Sequence, residues 1–111
     1  MGFKERMISY LQERDKPENR RTVYVDELKE TIYYKPVTAM EMDRILAQSG
    51  GGSANKDYHV AMIIEKSEDE SGAKIFTMAD KPVLEQLDSR IVSRVSNAIW
   101  GGIDIKEQKK S

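Results

Sequence analysis

Leu84, Leu87, Ile91, Val95 and Ala98 recur at steps of three and four in the segment from Ala73 to Ile99. At 3.6 residues per turn, that spacing keeps one helix face apolar for roughly four turns. Such a stripe needs a core to lie on, and the rest of the chain must supply it. The chain has 111 residues, which implies one domain with a modest core and no need of staples. Thr77 and Asp80 form a capping-type signal ahead of the stripe, with Pro82 inside the first turn. Asp88 or Ser89 is placed to cap a break between two helices, and Gly101-Gly102 stops the last one. A polar tail, 101–111, follows.

The partners of this stripe are written upstream. Residues 1–16 place Phe3, Met7, Tyr10 and Leu11 on one face of an amphipathic helix. Pro17 closes it, and "RDKPENRR" reads as a linker. The first expectation is a helix docked on the core. The alternative is a helix held out for a partner, since termini fray unless tied down. Next, "TVYV" and "TIYY" are β-branched and aromatic. They predict a β-hairpin with a loop longer than two residues, although helix competes for "DELKE". Pro36 ends the second strand.

"TAMEMDRILAQSGGG" is the clearest helix, with a Thr38–Glu41 capping box, an apolar face of Met42, Ile45 and Leu46, and Gly50 as a C-cap. In "KDYHVAMIIEKS" the short apolar run fits either a buried helix or a strand; helix is favoured. "EDESGAK" is an acidic turn, after which Ile75-Phe76 extend briefly. The expected fold class is α+β: a small single domain with an N-terminal helix, one β-hairpin and three to four helices. Its core should include Val25, Ile32, Ile45, Leu46, Ile63, Leu84, Leu87, Ile91 and Val95.

Chemistry is harder to find. Lys and Arg total 18 against 19 Asp and Glu, a balance that gathers neither nucleic acid nor an anionic membrane. There is no cysteine, so thiolate metal sites, disulfides and Cys nucleophiles are excluded. The longest apolar run, Val60 to Ile64, is too short to span a bilayer. Lys4, Glu5 and Arg6 interrupt any leader, and Arg6 stands where a myristoylation signal wants Ser or Thr. A cytoplasmic protein is expected.

His59 has no second ligand at metal spacing. The run Glu68-Asp69-Glu70 lacks the alternating oxygens of a calcium loop and reads as a solvated turn. Gly50 to Gly52 do not match the phosphate-binding loop pattern. Arg20-Arg21 is flanked by acids, so nucleic-acid binding is not the first expectation. Neither an enzyme nor a cofactor is expected. An interaction module remains, with the N-terminal helix, six methionines and Trp100 as its signals.

The order of these patterns resembles the tail assembly chaperones of long-tailed phages with non-contractile, lambda-like tails. In that family an acidic turn, a Gly, Leu/Ile-Phe, Thr/Ser and Asp lead into "Leu-x-x-x-Val-Val-x-Arg". The counterparts are Asp69 to Phe76, Thr77, Asp80, Leu87, Ile91-Val92 and Arg94. The junction "YYKPVTAMEMDR" is similar to the family's "Val-Arg-Pro-Leu-Thr-x-x-Glu-Arg-Asp". The likeness covers about residues 20–100, which it makes the chaperone domain; the Gly-rich loop at 50–52 falls outside the pattern.

The resemblance implies a non-catalytic protein that coats the tape measure protein, keeps it soluble and recruits tail tube protein. It would self-associate into open oligomers, work in the host cytoplasm and leave before the virion is mature. Phe3, Met7, Tyr10 and Trp100 are the expected protein-interaction residues. The family commonly makes a longer form by a ribosomal frameshift. Gln108-Lys109-Lys110 can be written CAA-AAA-AAG, which contains a slippery run; CAG-AAG-AAA would not slip. The alternatives are a small regulatory or nucleic-acid-associated accessory protein, using Arg20-Arg21 and the C-terminal lysines, or a structural head–tail connector component.

Overall fold

The computed structural model describes residues 2–48 and 56–101. The Gly50 cap, the Gly-rich loop, the tail from residue 102 and the Lys109-Lys110 slip site lie outside them. The fold is α+β. Helix α1 (Phe3–Arg14) precedes a one-turn 3-10 helix (Pro17–Asn19) and strands β1 (Arg21–Val25) and β2 (Glu30–Tyr34). Helices α2 (Ala39–Gln48), α3 (Lys56–Lys66), α4 (Lys81–Leu84) and α5 (Ser89–Gly101) follow, with a second 3-10 turn (Met78–Asp80) leading into α4.

The hairpin is antiparallel, with Val23 opposite Ile32 and Val25 opposite Glu30. Its loop, Asp26 to Lys29, contains no glycine. Lys29 therefore takes the left-handed conformation itself, at φ 55°. Val23 and Val25 turn inward, so Val25 is buried and Val23 half-buried, while Thr22 and Tyr24 are exposed.

Helix α3 lies at the centre of the core. Tyr58 and every residue from Val60 to Ile64 are buried. A helix that is apolar all round belongs inside, which resolves the helix-or-strand ambiguity of this run in favour of helix. α5 lays its stripe on α3, burying Ile91, Val92, Val95, Ala98 and Ile99. The hairpin packs on α5 with Val25, Ile32 and Tyr34, and α2 covers α3 with Ile45. The Tyr34 hydroxyl donates to the Ala98 carbonyl at 2.9 Å, and this bond satisfies a buried phenol.

Both capping boxes form. Glu41 N–H donates to Thr38 Oγ1 at 3.1 Å, and Thr38 N–H donates to Glu41 Oε1 at 3.0 Å. Thr77 N–H donates to Asp80 Oδ2 at 2.8 Å. Lys66, buried at the end of α3, places its ammonium 2.7 Å from Glu41 Oε1 and ties α2 to α3.

Three expectations need correction. Helix α1 buries no residue, so it is not docked on the core. Leu46 and Leu87 are only half-buried and pack at the core's margin. The "RDKPENRR" linker is a structured elbow.

Candidate functional site

Among the described residues, no group of three or more His, Cys, Asp and Glu side chains is placed to hold a metal ion. His59 is half-buried, with Nδ1 2.9 Å from Ser96 Oγ, and burial pushes its imidazole below the ordinary value. This pair stitches α3 to α5. The hollow beside it is about 60 Å³ and is lined largely by Val60, Leu84, Leu87 and Val92. No helix among the described residues is long and apolar enough to cross a membrane.

The candidate site is α1. Phe3 is 83% exposed and Tyr10 is 60% exposed, with Met7, Ile8 and Leu11 also in solvent. Phe3, Met7, Tyr10 and Leu11 fall within a stripe of about 100° at 100° per residue, the width of a core-facing face. Ile8 flanks the stripe. Isolated helices of this length are marginal in water, so local devices matter. Glu5 in the first turn and Arg14 in the last turn complement the helix dipole. The Arg14 guanidinium stands 6.0 Å over the Tyr10 ring.

The elbow holds the end of α1. Asp15 N–H closes the last turn on the Leu11 carbonyl at 3.0 Å. The Asn19 side-chain amide reaches back to the Glu13 carbonyl at 2.7 Å and to Glu13 Oε2 at 3.2 Å. Lys16 pairs with the same carboxylate and, with Asn19, holds it below the ordinary value.

Arg20 then anchors the elbow to the domain. Its side chain is only 9% exposed. Nε donates to the Pro17 carbonyl at 3.2 Å, and Nη1 donates to Glu68 Oε1 at 3.1 Å and to the Asp69 carbonyl at 2.9 Å. Nη2 donates to the Glu70 carbonyl at 2.6 Å, while the guanidinium lies 4.9 Å over the Tyr33 ring. The acidic turn is therefore a receptacle for Arg20. Asp69 folds that turn by accepting from Ser71 and Ala73 N–H groups, and Gly72 supplies φ +97°.

Trp100, the fourth expected interaction residue, stands 53% exposed near the end of α5. The sequence reading omitted Ile8, although its position four residues after Lys4 and beside Met7 put it next to the stripe. It also omitted the Arg20 anchor, which joins residues 48 to 50 positions apart and leaves no local pattern.

Comparison with protein families, curated proteins and solved structures finds no match to this chain.

Proposed function

We propose that this chain is a non-catalytic tail assembly chaperone that coats a tape measure protein through α1, keeps it soluble and recruits tail tube subunits. The observation that carries the reading is an amphipathic helix with no buried residue, held by a hydrogen-bonded elbow. A tape measure chain exposes long apolar helical stripes that would aggregate. An apolar helix face presented at the end of an arm is a physical match, because helices recognise one another through such stripes. Each large side chain of α1 that becomes fully buried contributes about 1.5–3 kcal/mol before ordering costs. Many copies along one chain then add avidity without irreversible binding.

The positions that carry the resemblance have structural work in the fold. Asp69 and Gly72 shape the turn, Thr77 and Asp80 cap, Ile91 and Val92 are core, and Arg94 grips Glu27 with Nη2 2.6 Å from Oε1. The partner surface therefore lies elsewhere, and α1 with Trp100 offers it. On this reading the protein acts in the host cytoplasm, needs no cofactor, associates with itself weakly and is missing from the mature virion. The nucleic-acid alternative loses half of its basic pair, because Arg20 is committed inside the domain.

Co-expression tests the proposal. The tape measure protein of the same genome should move from the pellet to the soluble fraction when this chain is present. A tape measure protein that stays insoluble contradicts it.

A further inference from the structure

The charges along α1 are ordered. At 3.6 residues per turn the apolar stripe runs from Tyr10 to Leu11, with Phe3, Arg14 and Met7 between them. Arg6 and Glu13 border its Tyr10 side, and Lys4 and Asp15 border its Leu11 side. The first half of the stripe is thus flanked by two cations and its end by two anions. All four residues are exposed. Lys4 near the N-terminus and Glu13 and Asp15 at the C-terminus oppose the macrodipole, so local helix stability does not account for their order.

Lys4 and Arg6 have no ion-pair partner among the described residues. Glu13 receives Lys16 and Asn19, and Asp15 receives Arg14, yet each exposed carboxylate has lone pairs to spare. The order of these charges selects a second α1 and its direction. When two helices face each other in parallel, the left flank of one meets the right flank of the other. A parallel copy would therefore set Lys4 beside Arg6 and Glu13 beside Asp15, like charge on like. In an antiparallel pair each flank meets its own counterpart, so Arg6 meets Glu13 and Lys4 meets Asp15.

We infer that α1 pairs antiparallel with α1 of a second copy, about a two-fold axis between Ile8 and Ser9. Met7 of each copy then lies level with Tyr10 of the other, and Phe3 level with Arg14. Arg14, already over the Tyr10 ring, also reaches the Phe3 ring of the other copy. The Arg6–Glu13 and Lys4–Asp15 pairs each form twice. They stand two residues, about 3 Å, out of level, within reach of the long Lys and Arg stems. The pairing is isologous and closes on itself. A helix of 12 residues buries little, so the dimer is weak and concentration-dependent. The pairing is read from α1 alone: a tape measure protein that stays insoluble in co-expression would end the proposed function and leave the dimer standing.

Sedimentation of the full chain tests it. The dimer should grow with concentration and weaken as salt rises, because exposed pairs are screened. Lys4→Glu/Arg6→Glu removes no described ion pair and should weaken the dimer about tenfold. Adding Glu13→Lys/Asp15→Lys reverses both ends and should restore it. Both sets of changes favour the macrodipole, and amide exchange in the dilute variants checks that α1 stays helical. A chain that stays monomeric at millimolar concentration overturns the inference. So does a dimer that ignores Lys4→Glu/Arg6→Glu, or a fourfold variant that stays monomeric with α1 still helical.

Discussion

Helices α1 and α5 are nearly the same length, and both carry an apolar stripe at helical spacing, yet one is core and the other is bare. α5 buries Ile91, Val92, Val95, Ala98 and Ile99; α1 buries nothing. The difference lies in what faces them. α5 meets α3, an apolar helix that must be covered on several sides, and the hairpin. α1 precedes an elbow whose bonds run back to α1 and whose anchor, Arg20, grips the acidic turn. Amphipathicity thus states that a helix will be covered, but not whether by its own chain.

The comparison breaks most readily at Ile99. It is 1% exposed, so Ile99→Ala should cost about 2–5 kcal/mol in urea unfolding. Leu87→Ala, half-buried at the margin, should cost less. A loss under about 1 kcal/mol at Ile99 would remove α5 from the core and undo the contrast.

Arg20→Ala comes next, at about 1–3 kcal/mol, because it strands the Glu68 carboxylate and the Glu70 carbonyl, while the Pro17 and Asp69 carbonyls keep the Arg20 and Gly72 amides. Amide exchange in α1 should also quicken, since the elbow loses its anchor. Unchanged stability and exchange would mean that α1 is positioned by something else.

A smaller effect is set by pH. Burial lowers the folded-state pKa of His59 below its ordinary 6.5. The unfolded chain therefore takes up the proton first. The stability contribution is complete above about pH 6.5 and declines as pH falls through the folded value. Glu41 acts lower on the scale. Burial raises its pKa, but the Lys66 ammonium and the Thr38 amide more than reverse this, leaving it below 4.5. Its contribution is present above that value and is lost as pH falls further. His59→Gln should remove the first decline and leave the second; a first decline that persists assigns it to another group.

The smallest effect on folding belongs to α1. Phe3→Ala should shift stability by no more than about 0.5 kcal/mol. A cost near that of Ile99→Ala would show that Phe3 is buried after all.

Elements with local signals were legible in the sequence. The Thr38–Glu41 and Thr77–Asp80 boxes, the break before Ser89 and a hairpin loop longer than two residues all follow from neighbours in the chain. Helix α3 was ambiguous because its run from Val60 to Ile64 is buried on every side and has no polar face to set its period. The fate of α1 was not legible, since the stripe of Phe3, Met7 and Tyr10 looks the same docked or free. The Arg20 anchor, the Tyr34–Ala98 bond and the Glu27–Arg94 grip join distant residues, and only the fold brings them together.

The central claim is that the bare face of α1 is the partner surface. The soluble fraction of co-expressed tape measure protein, with this chain or its Phe3→Ser/Met7→Ser/Tyr10→Ser variant, tests it most directly. The account predicts a variant that folds with the same urea midpoint and lets the tape measure protein fall into the pellet. A folded variant that keeps the tape measure protein as soluble as the original chain does would contradict it.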